Sequence, residues 1–294
     1  MRGEARSRES KPPDPERDRD LTALQHAINQ EVIPRLVRRH REGGGAAAKV
    51  APARDQPTDD AALVRRAIEP YLAHVAAGRL AEMDAVVAQL RQAGCTVERV
   101  YLELLKPVAH RLGEMWCDDD MDFAQVTLAT GRLQRVLRDL SPAFAAEVEA
   151  AAHAHRALFV QAEGEQHGFG LSMLAEFFRR AGWDVLGGVG TAAVDPVERV
   201  RREWVDLVGL SVGSLPRLPA VKQVVARLRA ASRNPALVVM VGGPLFHQHP
   251  EVLGELDADG HAADARAALQ LAEALVRERQ AGGQTAGQTG APAA

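Results

Sequence analysis

The apolar pattern of this chain changes at about residue 155, and that change restricts the possible folds more than any other feature. Beyond it, apolar runs of strand length alternate with stretches of helical periodicity. The strand-length runs are 156–162, 184–190, 206–212 and 236–242, and the helical stretches are about 171–181, 196–204, 217–231 and 263–279. Strands that alternate with helices form a parallel sheet, because right-handed crossovers place helices on both of its faces. We therefore predict a flavodoxin-like (Rossmann-like) α/β domain over residues 153–281, with a short fifth strand near 256–260.

The region before this domain, residues 58–150, shows helical periodicity throughout. Gly94 is typical of the end of a helix, whereas Thr96 and Asp122 are typical of residues that cap a helix N-terminus. These signals divide the region into four amphipathic helices joined by short turns, a pattern that predicts a four-helix bundle. The predicted fold class is therefore α/β, with a C-terminal parallel-sheet domain preceded by a helical bundle.

The two ends of the chain do not show the pattern of a packed domain. Residues 1–20 alternate charges without apolar periodicity and are expected to be a disordered arm. Residues 21–41 have one apolar face, an interruption at Pro34 and a basic end, and 42–57 have the composition of a flexible linker. Residues 282–294 are of low complexity, and we expect a disordered tail there.

Composition excludes several classes of protein. The chain of 294 residues has a formal net charge of −3, which gives the whole protein no electrostatic reason to seek DNA or a membrane surface. Its two cysteines, Cys95 and Cys117, do not have metal-ligand spacing and do not indicate a disulfide scaffold. Because neither a signal peptide nor an apolar run of membrane-spanning length is evident, we expect a cytoplasmic protein.

Three loops at predicted strand ends are rich in small residues. They read EGEQHGFGL after the first strand, SVGS after the third and GGP after the fourth. In a parallel α/β sheet, ligands bind beyond the carboxyl ends of the strands. Glycine at these positions lets a ligand approach the backbone closely. Small residues at strand ends also occur in ordinary doubly wound folds, so the first loop, with its Glu and His two residues apart, is the most specific of the three.

The three loops resemble those of cobalamin-binding domains of the methionine-synthase type, which carry Asp-x-His-x-x-Gly, then Ser-x-Leu, then Gly-Gly. This chain has Glu165-x-His167-x-x-Gly170, Ser211-Val212-Gly213 and Gly242-Gly243, with 40 residues between the first and second motifs and 28 between the second and third. The two departures, Glu for Asp and Gly for Leu, are similar to the PpaA/AerR group of cobalamin-binding antirepressors. The resemblance covers about 25–41 and 60–280.

The resemblance implies that His167 binds the cobalt of a cobalamin. A neutral imidazole is a good ligand for this metal, and Glu165 is placed to accept the proton of its other ring nitrogen. The family likeness further implies that the dimethylbenzimidazole arm leaves the cobalt and enters a slot between the sheet and a helix. The residues predicted to bind the cofactor are Glu165, His167, Gly168, Gly170, Ser211, Gly213, Gly242 and Gly243.

The helical domain is expected to act as a cap over the upper face of the corrin. Trp116 occupies the position at which a related light-sensing repressor family places a tryptophan against that face. The Glu-His pair that follows ten residues later in that family is replaced here by Val126 and Thr127. An upper protein ligand from this position is therefore not predicted, and packing within the bundle core is the alternative role for Trp116.

Three functions fit a cobalamin domain joined to a helical cap. The family likeness implies a non-enzymatic regulator, an antirepressor and photoreceptor that senses light or redox state through its cofactor. Its partner would be a DNA-binding repressor of the PpsR/CrtJ type that controls photosynthesis or tetrapyrrole genes, and no direct DNA binding is expected. The alternatives are a corrinoid carrier in methyl transfer and a heme-binding sensor of the same fold.

Overall fold

The computed structural model describes residues 59–148, 155–161, 168–187, 195–262 and 264–288. The predicted arm, basic helix and linker (1–57) lie outside these ranges. Within them, no helix combines the length and the apolar composition that a membrane span requires.

The predicted bundle is present, and its third helix contains a π-helical segment. The elements are α1 (Asp59–Ala77), α2 (Leu80–Gln92), α3 (Val97–Arg99), the π segment (Val100–Leu105), α4 (Lys106–Cys117) and α5 (Phe123–Ala146). The predicted third helix is the uninterrupted run from α3 to α4. The N–H of Lys106 donates to the carbonyl of Tyr101, five residues back, and Pro107 follows with no N–H to restore the ordinary pattern.

The helix ends that were predicted from single residues are confirmed. Thr96 accepts a hydrogen bond from the N–H of Arg99, and Asp122 forms a reciprocal capping box with Gln125. After α2, Gly94 has a φ of 93° and its N–H donates to Arg91, while the next N–H donates to Leu90. Glycine satisfies two carbonyls of the helix end in this way because it adopts the left-handed conformation without strain.

The C-terminal domain is a five-stranded parallel sheet in the order β2-β1-β3-β4-β5, which is the flavodoxin order. Its elements are β1 (Arg156–Gln161), α6 (Phe169–Arg180), β2 (Asp184–Gly187), α7 (Pro196–Arg202), β3 (Leu207–Ser211), a 3₁₀ turn (Leu215–Arg217), α8 (Leu218–Ala231), β4 (Val238–Gly242), α9 (Pro244–Gln248), a 3₁₀ segment (Pro250–Glu255), β5 (Gly260–His261) and α10 (Ala265–Gln288). The predicted fold class is therefore confirmed.

Two elements differ most from their predicted bounds. The fifth strand begins at Gly260, the last residue of the predicted segment, and has only two residues. The last helix continues to Gln288, past the predicted end at 279 and into the segment predicted to be disordered. Extending an existing helix fixes one residue for each hydrogen bond gained, so α10 continues through Gly282 and Gly283 although glycine is a poor helix former.

Side chains alternate between two cores, one on each face of the sheet. Leu158, Leu210 and Val241 belong to the core under α7 and α8. Ala157, Phe159 and other residues of the opposite face belong to the core under α6 and α10. This alternation decides which residues at the strand ends face α6.

Helix α6 also packs into the bundle. Phe169, Met173 and Phe177 belong to the bundle core, whereas Leu171 and Phe178 belong to the core of the sheet. The ring of Phe177 lies 5.0 Å from that of Phe144 on α5, measured between centroids. A single helix therefore contributes to both domains.

Candidate functional site

Three strands of the sheet end side by side at the predicted site. Gln161, the last residue of β1, is in register with Ser211 at the end of β3, which is in register with Gly242 at the end of β4. The chain leaves β1 toward β2 on one side and leaves β3 toward β4 on the other. Such a divergence is the topological switch point at which open α/β sheets bind ligands. The structure thus brings the ends of the three predicted loops together.

The row of Gln161, Ser211 and Gly242 faces α6 and α10, since it continues the alternation that places Phe159 and Met240 in the core on that side. One residue deeper on this face, a Cβ added to Gly209 would lie 2.7 Å from the Phe159 ring. At the level of Gly242, an added Cβ would meet no atom of the described residues within 4 Å. Among the described residues, the face is therefore filled by Phe159 below and open at the level of Gly242.

Gly170, on α6, is a second glycine of the motifs that lies beside open space among the described residues. It lies in the first turn of α6, is exposed, and an added Cβ there would also meet no described atom within 4 Å. Leu174, one turn further along α6, packs against both the bundle core and the core of the sheet. Gly170 therefore lies on the side of α6 where the two domains meet. Open space beside Gly170 and Gly242 fits a group that enters between the helix and the strand ends.

Gly243 has a different role from its neighbour. Its φ of 110° and ψ of 174° belong to a region that is almost restricted to glycine. An added Cβ would lie 2.9 Å from the nitrogen of Val212 and closer still to its carbonyl oxygen. The N–H of Val212 donates to the carbonyl of Gly242, which holds the two loops together. The glycine at position 243 is therefore required by the backbone of the site.

The other small residues of the motifs lie at the same edge. Gly213 follows Val212 and is half-buried, as is Ser211. Gly168 precedes α6, is buried, and accepts a hydrogen bond from the N–H of Ser172. Glu165 and His167 belong to residues 162–167, which lie outside the described residues. Gln161 and Gly168, the described residues on either side of this segment, both lie at the site.

The helical domain exposes large apolar side chains around the turn between α4 and α5. Trp116 is 38% exposed, so packing in the bundle core does not account for it. Phe123 and Leu128, which the sequence reasoning did not include in the site, are 56% and 60% exposed. Each of these exposed side chains is available for contact with a ligand or a partner.

Gln161, at the carboxyl edge of the sheet, is a third residue that the sequence reasoning did not include. A half-buried amide ends a strand whose earlier residues on the same face, Ala157 and Phe159, are apolar and buried. The run Ala157–Val160 is apolar on both faces, so only the geometry of a strand, in which every second residue points to the same side, puts Gln161 on the face of Phe159.

Comparison with known proteins supports cobalamin as the cofactor. One family model, described as a B12 binding domain, matches residues 155–270, and a second B12 binding domain model matches residues 67–140. An uncharacterized 20.5 kDa protein encoded in the bchF-crtJ intergenic region of Rhodobacter capsulatus is 28% identical over 177 residues, which are 60% of this chain and 92% of that protein.

Two solved structures are also similar. The monomethylamine corrinoid protein of Methanosarcina barkeri has a TM-score of 0.58 at 17% identity, over 71% of this chain and 96% of that chain, and therefore shares the fold. A novel cobalamin-binding protein of Desulfitobacterium hafniense DCB-2 has a TM-score of only 0.36 at 19% identity, over 71% of this chain and 98% of that chain. The two B12 binding domain matches fall on the bundle and on the sheet domain in turn, as the resemblance to the PpaA/AerR group implied, and the chain is a cobalamin-binding protein composed of these two domains.

Proposed function

We propose that this protein is an antirepressor that uses bound cobalamin to control its complex with a DNA-binding repressor of the PpsR/CrtJ type. The observation that supports a regulatory role is the similarity to the Rhodobacter capsulatus protein, whose gene lies between bchF and crtJ. The similar segment spans 92% of that relative, so nearly the whole of that protein is similar to this chain. The genes controlled would be those of photosynthesis or tetrapyrrole synthesis.

In this proposal the carboxyl edge of the sheet binds the lower face of the cofactor. His167 supplies the imidazole ligand of cobalt, and Glu165 accepts the proton of the other ring nitrogen and so fixes its orientation. Gly170 and Gly242 leave space for the displaced nucleotide arm, beside the hydroxyl of Ser211. Gly168 and Gly213 allow the two loops to approach the ligand closely.

The bundle supplies the cover of the upper face through Trp116, Phe123 and Leu128, whose apolar side chains are exposed. When bound, cobalamin would supply a cobalt centre whose ligation responds to light or redox state. In this proposal the helical domain has two arrangements. A change in the cofactor shifts the equilibrium between them only to the extent that they bind the two forms of cobalamin with different affinity. A repressor that prefers one arrangement then binds in one state of the cofactor.

The cobalt ligand is tested by the absorption spectrum of protein reconstituted with hydroxocobalamin. His167→Ala should lose the spectrum of histidine-ligated, base-off cobalamin, while the free energy of unfolding of the apoprotein changes by less than about 0.5 kcal/mol because a loop side chain contributes little core. His249→Ala is the matched control, since His249 lies at the same edge and pairs with Glu251 at 3.0 Å. Retention of the wild-type spectrum by His167→Ala would contradict the assignment.

The regulatory role is tested by measuring the affinity of a PpsR/CrtJ-type repressor for the apoprotein and for holoprotein kept dark or illuminated. We expect affinities that differ between these states, and equal affinities would exclude the switch. The alternative is a corrinoid carrier, with which the fold is compatible. A carrier accepts a methyl group from a corrinoid methyltransferase and transfers it, so methyl turnover without repressor binding would replace the proposal.

A further inference from the structure

The residue that ends β1 is polar at a place where the strand pattern calls for an apolar side chain. Along the face of β1 that contacts α6 and α10, Ala157 and Phe159 are 0% and 2% exposed, and Gln161 comes next on that face. The neighbouring Val160 points to the opposite face, where it packs against the other core. Gln161 is therefore placed by alternation on the side of the sheet that carries the open space.

Two polar side chains lie next to each other in that row. Gln161 and Ser211 are direct partners in the parallel register, and adjacent strands are about 4.8 Å apart. Both residues are half-buried. The Phe159 ring fills the level below them, as its closeness to Gly209 shows, so the core offers no polar partner in that direction. Beyond Ser211, the row ends at Gly242, where an added Cβ would meet no atom of the described residues within 4 Å.

We propose that Gln161 is a further cobalamin-binding residue, whose side-chain amide forms a hydrogen bond to the nucleotide arm of the cofactor beside Ser211. This inference rests on the proposed entry of that arm between the sheet and α6. Once displaced from cobalt, the benzimidazole base has a ring nitrogen that accepts hydrogen bonds, and the arm also carries an amide and a phosphate. A glutamine amide offers two donors and an acceptor, and it reaches further from the strand than the serine hydroxyl.

The test compares two ligands that differ in the arm. Cobinamide retains the corrin and the cobalt but lacks the nucleotide, so a residue that contacts only the arm affects cobalamin binding alone. Gln161→Met keeps the unbranched shape of the side chain and removes the amide. We expect the dissociation constant for cobalamin to rise roughly threefold to tenfold, the size of one hydrogen bond, while that for cobinamide stays unchanged.

Val160→Ala is the matched control, because Val160 is the adjacent residue on the opposite face of the same strand. It should leave the ratio of the two dissociation constants at the wild-type value even if it lowers stability. The variants Ser211→Ala and Gln161→Met with Ser211→Ala complete a double-mutant cycle, in which neighbouring contacts to one group give non-additive losses.

Two results would overturn the assignment. If Gln161→Met weakens both ligands equally, the amide supports the loop or the cobalt ligand, and if it weakens neither, the amide makes no contact. Failure of the wider proposal has a different signature. In that case wild-type protein and His167→Ala bind cobalamin and cobinamide with the same ratio of affinities, whatever Gln161→Met does.

Discussion

The two ends of helix α6 are built in opposite ways. At its C-terminal end, Phe177 is 1% exposed and the guanidinium of Arg180 lies 4.0 Å from the centroid of the Phe144 ring. Arg180 also donates to Glu98 of the bundle at 2.6 Å. At its N-terminal end Phe169 is still buried in the bundle core, but Gly168 and Gly170 on either side of it carry no side chain, and Gly170 has open surroundings within the described residues. One end is fixed by large interlocking groups, and the other leaves space.

This difference separates stability from ligand binding along one helix. Close packing of aromatic groups at the domain junction contributes to the free energy of unfolding, since most of their surface is removed from water. The glycines at the carboxyl edge bury no side chain, so they add little to that free energy, and they leave room for a cofactor. If the comparison is correct, substitutions at the junction change stability, and substitutions at the open edge change cobalamin binding.

The largest effect is expected at the junction, from Phe144→Ala. Phe144 is 1% exposed, contacts the rings of Tyr101 and Phe177, and lies under Arg180. Removing it leaves a cavity between the domains and should lower the free energy of unfolding by about 3–5 kcal/mol, measured by urea denaturation of the apoprotein. Phe123→Ala, on the exposed surface of the same helix, should change it by less than about 0.5 kcal/mol. Equal losses for the two variants would contradict the claim that aromatic packing at the junction carries the stability.

Gly243 lies at the carboxyl edge of the sheet but has a structural role, so it separates the two kinds of effect within one loop. Gly243→Ala forces a Cβ against the backbone of Val212 and a conformation that alanine avoids. We expect a loss of about 2–3 kcal/mol of unfolding free energy in the apoprotein. Gly242→Ala is the matched control, and it should leave apoprotein stability within about 0.5 kcal/mol while weakening cobalamin binding. Similar stability for both variants would show that the turn relaxes around the added methyl group.

Much of the fold could be predicted from the sequence because its signals are local. Thr96, Asp122 and Gly94 act within one helical turn, and the alternation of apolar runs with helices is enough to indicate a parallel sheet. The short β5 was hardest to place, since two residues carry almost no periodicity.

The site was predicted less completely because its geometry depends on distant parts of the chain. The assignments of Glu165 and His167 came from the resemblance and remain predictions. The role proposed for Gln161 depends on its register with Ser211, 50 residues later, which no local pattern indicates. The exposure of Phe123 likewise depends on how the bundle packs. Ion pairs at the junction, such as that between Glu98 and Arg266, join residues 168 positions apart, and no local pattern indicates them.

The smallest predicted effect concerns the ion pairs of the junction and its response to pH. Burial alone would raise the pKa of the Glu98 carboxyl, but hydrogen bonds and charges from Arg180 and Arg266 outweigh it and hold the pKa below its usual value of 4.5. A carboxyl with a lowered pKa in the folded protein stabilises it fully above the pKa of the unfolded chain and loses this contribution as the pH falls through the folded value.

Glu98→Gln should therefore lower the free energy of unfolding by about 1–2 kcal/mol near neutral pH, and the difference from wild type should shrink below about pH 4.5. Denaturant titrations at a series of pH values measure this. Glu103→Gln removes only a pair with Arg99 on one helical surface and should cost less than about 0.5 kcal/mol. If Glu98→Gln and wild type show the same free energy of unfolding at every pH, the ion pairs of Glu98 with Arg180 and Arg266 do not hold the domains together. The junction would then depend on the aromatic contacts alone.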